Sequence, residues 1–127
     1  VIPIHPRTQR ALERNFGEGF ADGLAIIEPV SYLQMLRLEM GAKLILTDSG
    51  GVQKEAFFHG VPCVTLREET EWVELLDLGV NSLAGANADK IVRTADELMA
   101  TFQATNVAEL YGNGKASERI IDRLLSA

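Results

Sequence analysis

The sequence predicts an α/β fold, a Rossmann-like parallel sheet with helices on both faces, and three observations predict it. Short apolar runs alternate with helix-patterned segments along the 127-residue chain. Strand–helix alternation of this kind produces parallel strands joined by crossovers. The helical segments carry their own stop signals, Gly41, Gly60 and Gly79. The apolar run at 43–47 passes through Asp48-Ser49-Gly50-Gly51 into a helix, and such a junction points unpartnered backbone N–H groups at an anion.

The elements follow in order. Residues 1–4, Val-Ile-Pro-Ile, form a short strand that starts without an initiator Met, as expected for a piece cut from a longer polypeptide at a domain edge. His5-Pro6-Arg7-Thr8 is a turn, with Pro6 suited to a helix start, and residues 8–15 are helical. Residues 24–27 are the second strand, closed by Glu28-Pro29. Ser31 caps a helix running through Met40, with Leu33, Leu36 and Met40 at helical spacing. The third strand, 43–47, precedes a helix at 52–59, and 63–66 is the fourth strand. A polar loop, Arg67-Glu68-Glu69-Thr70-Glu71-Trp72, leads to a short helix at 74–78 and a weaker strand at 80–84. Residues 89–101 form a helix with Ile91, Val92, Ala95, Leu98 and Met99 on one side. Residues 103–114 are irregular, and the closing helix at 116–125 carries Ile120, Ile121, Leu124 and Leu125 on its apolar face.

Composition narrows the function classes. The length fits one domain with a sizeable core, and 46% apolar with 24% charged residues is ordinary for a globular protein. A net charge of −6 opposes broad contact with nucleic acid or an anionic membrane. No apolar stretch is long enough to span a bilayer, and the start shows no signal-peptide pattern. Cys63 is the one cysteine, expected as a buried inert thiol, and a cytoplasmic protein fits best.

Ligands of parallel sheets bind beyond the carboxyl ends of the strands. His5, Glu28, Asp48 and Arg67 all fall just after predicted strands. Ser49, Gly50 and Gly51 form the anion turn, although a Ser-Gly-Gly turn that merely caps a helix has the same sequence. Glu55 lies four residues after Gly51, about one turn along the same helix face. A carboxylate there would repel phosphates but would accept hydrogen bonds from a neighbouring diol. Phosphates on the turn and a ribose against Glu55 therefore satisfy both features. His59 at a helix end is read as structural, through the helix dipole. In the loop, Arg67 suits a phosphate or an internal carboxylate, Trp72 a base or the sheet, and Thr70 and Glu71 a helix cap. No metal-ligand spacing occurs; Asp48 and Glu55 could hold Mg²⁺ with a diphosphate, but nothing requires it. Neither Gly-x-x-x-x-Gly-Lys-Ser/Thr nor Gly-x-Gly-x-x-Gly is present, which removes P-loop ATPases and the dinucleotide fingerprint.

The run from Thr47 to Ala56, then Gly60-Val61-Pro62-Cys63-Val64-Thr65-Leu66-Arg67, then Thr70-Glu71-Trp72-Val73-Glu74, resembles the non-hydrolysing UDP-N-acetylglucosamine 2-epimerase family. Pro3-Ile4-His5-Pro6-Arg7-Thr8 and Tyr111-Gly112-Asn113-Gly114-Lys115-Ala116-Ser117 extend the resemblance to both ends. It implies that residues 1–127 are the C-terminal, UDP-binding domain of a two-domain glycosyltransferase-B architecture, with the active site in the cleft between domains. Ser49, Gly50 and Gly51 would hold the UDP diphosphate and Glu55 the ribose hydroxyls. His5 would line the nucleotide-sugar site, as the one catalytic candidate in this segment. Met35 falls where some members place an aromatic residue near the uracil, and Trp72 where some carry Arg, leaving Arg67 as the nearest cation.

The implied partners are a UDP-sugar, the N-terminal domain of the same polypeptide and a second copy in a homodimer. No metal and no cofactor are implied. The implied chemistry is inversion at C2, by loss of UDP with the C2 proton and re-addition after reprotonation on the other face. The principal acid–base groups would lie upstream of Val1. Variants such as Gln53-Lys54-Glu55 and Trp72-Val73-Glu74 also resemble epimerases of diacetamido-glucuronate nucleotides. The rival classes are a glycosyltransferase of the same architecture, which would show a Gly-rich acceptor segment, and a receiver-like regulatory domain, which would show an acidic pocket with a Lys.

Overall fold

A computed structural model describes residues 1–17, 19, 21–103 and 110–126. It divides into two compact units, Val1–Arg37 and Leu38–Ala127. The expected parallel strands appear as two sheets rather than one ladder. In the first unit β1 (Ile2–Pro3) pairs in parallel with β2 (Ile26–Ile27), Ile2 opposite Ile26. Both strands are shorter than predicted, because Pro3 has no N–H to extend the ladder and Pro29 follows soon after β2. Between them α1 (Pro6–Phe16) opens with Pro6 at its first position, two residues earlier than the sequence suggested.

α2 (Tyr32–Gly41) bridges the two units in sequence. Ser31 begins it as expected, but by the other half of a capping box. Its backbone N–H and hydroxyl both reach Gln34 Oε1, at 2.9 and 2.8 Å.

The second unit is a parallel sheet in the order β3 (Ile45–Thr47), β4 (Cys63–Thr65), β5 (Asn81–Leu83). Alternation along β4 separates its two faces. Cys63 packs with Ile45, Ala56 and Val61, so that face is covered by α3 (Gly50–His59). Val64 packs with Ala84 and Leu98, so the other face is covered by α5 (Ala88–Thr101). Phe57, Leu75 and Val80 extend the core to α4 (Val73–Asp77). Helices on both faces are therefore observed. Burial pushes the Cys63 thiol up to about 12, so it stays protonated and inert.

α3 starts two residues before the predicted helix, and both Gly50 and Gly51 are helical. It stops at Gly60, whose left-handed φ of 67° suits glycine. α6 (Ala116–Leu125) closes the chain with Ile120, Ile121, Leu124 and Leu125 exposed. Half of the irregular segment expected at 103–114, residues 104–109, lies outside the described residues. No described helix is long and apolar enough to cross a membrane.

Candidate functional site

The site of the second unit is built where β3 hands over to α3. Ser49 leaves the strand extended and caps the helix, its Oγ accepting from the Val52 N–H at 3.5 Å. Its carbonyl takes the Gln53 N–H at 3.2 Å, while Thr47 Oγ1 accepts the Ser49 N–H at 3.1 Å. The turn is thus fixed by its own residues. The Gly50 and Gly51 N–H groups, first in the helix, have no acceptor within it. The Ser49 hydroxyl keeps its proton for a ligand. A cap and an anion turn are not alternatives here: Ser49 does the first and leaves the second available.

Glu55 lies on α3, half-buried. The polar loop after β4 packs against the start of α3. Trp72 donates from Nε1 to the Gly50 carbonyl at 2.9 Å, and its ring joins the cluster of Phe57, Leu75 and Val80. Trp72 therefore serves the turn and the core. Lys54 Nζ lies 4.1 Å from the centroid of that ring and 4.2 Å from that of Tyr111. Tyr111 in turn donates to Glu74 Oε1 at 2.6 Å. That bond holds the Glu74 carboxyl below its ordinary range, helped by Lys54, while burial and Glu74 push the Tyr111 phenol up.

Arg67 takes the internal partner of the two open to it. Its Nη1 meets Glu71 Oε2 at 3.1 Å, in an exposed i,i+4 pair. The Glu71 carboxyl sits below its usual range, first through its own backbone N–H and then through Arg67. Neither Thr70 nor Glu71 caps α4; its N-cap is Trp72, which makes no side-chain cap bond. Thr70 instead accepts the Trp72 N–H at 3.2 Å and donates to Gln53 Oε1 at 2.6 Å.

That last bond belongs to a buried network the sequence reading missed. Gln53 is fully buried, and its Oε1 also accepts from Asn81 Nδ2 at 3.1 Å. Thr65 Oγ1 donates to Asn81 Oδ1 at 2.8 Å. The chain of bonds runs from the sheet through Gln53 to Thr70, Trp72 and the Gly50 carbonyl. It fixes the loop against the turn. A signal existed in the sequence: Gln53 shares a helix face with Ala56 and Phe57, both core residues.

His5 and Met35 belong to the first unit and are placed only within it. His5 caps α1 by accepting the Arg7 N–H on Nδ1 at 3.2 Å. In the neutral ring the proton then sits on Nε2, so the exposed side of this His is a donor. Met35 is half-buried on α2. Ser49, Gly50, Gly51 and Glu55 are thus brought together on one segment, with Arg67 on the loop after the adjacent strand.

Crowding at Gly50 gives a direct check on this geometry. A Cβ there would come within 3.3 Å of both Glu71 Oε1 and Trp72 Nε1. Gly50→Ala gains up to about 1 kcal/mol in helix propensity and loses part of that to the crowding. Overall stability should stay within about 1 kcal/mol of the parent, while the emission of Trp72 shifts. An unchanged emission spectrum would place the indole elsewhere.

The model of a protein family described as UDP-N-acetylglucosamine 2-epimerase matches residues 1–125. The UDP-2,3-diacetamido-2,3-dideoxy-D-glucuronate 2-epimerase of Pseudomonas aeruginosa is 50% identical over 125 residues, spanning 98% of this chain and 34% of that protein. The UDP-N-acetylglucosamine 2-epimerase of Methanocaldococcus jannaschii is 46% identical over 124 residues, spanning 95% of this chain and 33% of the relative. The crystal structure of the Methanocaldococcus jannaschii UDP-GlcNAc 2-epimerase in complex with UDP-GlcNAc and UDP superposes with a TM-score of 0.79 at 41% identity, over 98% of this chain and 35% of that one. The Neisseria meningitidis UDP-GlcNAc 2-epimerase bound to UDP-GlcNAc gives a TM-score of 0.71 at 30% identity, over 99% and 36%. The chain spans about a third of the length of the relatives it matches.

Proposed function

This chain belongs to the UDP-N-acetylglucosamine 2-epimerase family, and from that premise we propose that it is the C-terminal, UDP-gripping part of an enzyme that inverts C2 of a UDP-N-acetylhexosamine. The observation that carries the reading is the β3–α3 junction, where Ser49, Gly50 and Gly51 offer donors without acceptors and Glu55 follows one turn later. The Ser49 hydroxyl and the first N–H groups of α3 bind the diphosphate. The half-buried Glu55 accepts the ribose hydroxyls. Trp72 keeps the first turn of α3 in place through the Gly50 carbonyl. His5 contributes a donor through Nε2, and Met35 an apolar contact for the base. Arg67, paired with Glu71 in an exposed ion pair, is the nearest cation for a phosphate on the turn.

In the reaction, a base from the rest of the polypeptide removes the C2 proton while the C1–oxygen bond to UDP breaks, leaving a glycal. UDP then returns to C1 as C2 is reprotonated on its other face. Between the two steps UDP is a separate molecule. The work of this domain is to keep it in place, so that re-addition remains in effect intramolecular. The remaining two-thirds of the enzyme supplies the acid–base groups, in a cytoplasmic homodimer.

A second substrate is favoured by the 50% identity to the Pseudomonas aeruginosa enzyme, namely a UDP-diacetamido-glucuronate. Incubation of the full polypeptide with each UDP-sugar, followed by analysis of the sugar product, separates the two. Product from the 2-acetamido-glucose nucleotide supports the first reading, product only from the glucuronate nucleotide supports the second, and none from either rejects both. The 127-residue chain by itself should fold, bind UDP weakly without Mg²⁺ and epimerise nothing.

A further inference from the structure

Lys54 follows Gly50 by four residues, so the two share a face of α3. A lysine on a helix face ordinarily reaches into water. Lys54 is half-buried instead, its Nζ 4.1 Å from the centroid of the Trp72 indole and 4.2 Å from that of the Tyr111 ring. An ammonium over two ring faces is attracted by both. The same indole donates from its edge to the Gly50 carbonyl at 2.9 Å. One ring is therefore gripped from α3 twice, by its face and by its edge. The other ring is tethered independently: Tyr111 donates to Glu74 Oε1 at 2.6 Å and meets Phe57 edge-on, with centroids 5.6 Å apart. The remaining tie between the loop and α3, Thr70 to Gln53, holds the loop but leaves the pose of the indole open.

We infer that Lys54 is a positioning residue for the diphosphate turn: its ammonium holds the Trp72 indole in the pose from which Nε1 reaches the Gly50 carbonyl. The inference rests on the reading of Ser49, Gly50 and Gly51 as the diphosphate site. It adds a charge that acts on the ligand without touching it. The Gly50 carbonyl and the Gly51 N–H belong to one planar peptide unit, so a bond to the first aims the second. Both flanking residues are glycines, which leave that unit freer to turn than any other pair would. A pinned carbonyl removes this freedom before the ligand arrives, and binding then has less ordering to do.

Calorimetric titration of UDP into the full polypeptide tests this. Lys54→Met keeps an apolar stem against both rings and removes the charge. It should weaken UDP binding about fivefold, the equivalent of one cation–π contact. Lys54→Arg also stacks on aromatic faces and should stay within about twofold of the parent. Losing a positive charge weakens the hold on any anion nearby, so the effect is read again in Trp72→Phe, which keeps a ring and loses the Nε1 donor. There Lys54→Met should cost less than about twofold further, because both changes act through one bond. Parental affinity in Lys54→Met, a loss as large in Lys54→Arg, or an undiminished loss in the Trp72→Phe background each overturns the inference; the last would mean that Lys54 meets the phosphates itself. Ser49→Ala separates the two levels. Unchanged UDP affinity in that variant defeats the diphosphate reading of the turn, whereas a loss there beside parental affinity in Lys54→Met defeats only the role of Lys54.

Discussion

Gln53→Ala is expected to destabilise the second unit by about 3 kcal/mol, within the range for breaking a buried hydrogen-bond network. Two effects add. Removing the amide leaves Asn81 Nδ2 and the Thr70 hydroxyl, both bonded to Gln53 Oε1, without an acceptor. It also opens a void at a position with no exposure. Gln53→Met separates these effects, because it fills the space and supplies no acceptor. It should cost about half as much, on the order of 1–2 kcal/mol. Among the described residues Gln53 Nε2 has no partner, so neither variant loses a bond there. Urea unfolding followed by fluorescence is well placed to measure the difference, since Trp72 is the single tryptophan and hangs from Thr70 through its own N–H. Equal midpoints for parent and Gln53→Met would show that the network contributes nothing net. Because Trp72 also holds the Gly50 carbonyl, the same variants should loosen the turn and weaken UDP binding before they unfold the domain.

The parts of this protein that could be read from sequence are those whose cause is local. Ser49 caps α3 because a hydroxyl before two glycines meets the third N–H on, and that geometry spans four residues. Glu55 follows from helical period alone. Gly60 stops α3 because only its own φ is at issue. What the sequence concealed depends on partners far along the chain. Gln53 bonds Thr70 and Asn81, 17 and 28 residues away, and neither distance has a sequence signature. Glu39 is buried with His59 Nε2 3.7 Å from its carboxyl, a neighbour twenty residues on that no periodicity specifies. In both cases the trace left behind was a polar residue on an otherwise apolar helix face. Read as surface it is ordinary; read as core it demands a partner. The ambiguity of Arg67 and Trp72 had the same origin. Their neighbours are Glu71 and the Gly50 carbonyl, and only the folded loop selects them. The division into β1–β2 and β3–β4–β5 was likewise hidden, since alternation of strands and helices gives the kind of sheet but not where its ladder breaks.

Glu55→Gln should lower the affinity of the full enzyme for UDP by about 1.5–3 kcal/mol, the worth of a hydrogen bond to a charged group. The same change should cost the fold only a few tenths to about 1 kcal/mol, through the helix dipole. The inequality follows from where Glu55 sits. It is half-buried on a helix anchored elsewhere by Ala56 and Phe57, so the fold does not depend on its charge. The ligand does, because a carboxylate accepts both hydroxyls of a diol while an amide offers one oxygen and turns a donor toward them. Comparing UDP with inorganic diphosphate locates the contact. If Glu55 reads the ribose, Glu55→Gln loses affinity for UDP and keeps the parental, weak affinity for diphosphate. Removing a negative charge favours an anion nearby, so a tighter diphosphate beside a weaker UDP also fits a carboxylate near the turn. Equal losses for both ligands would instead mean that Glu55 acts on the turn at Ser49-Gly50-Gly51 or on folding, and the ribose assignment would be withdrawn.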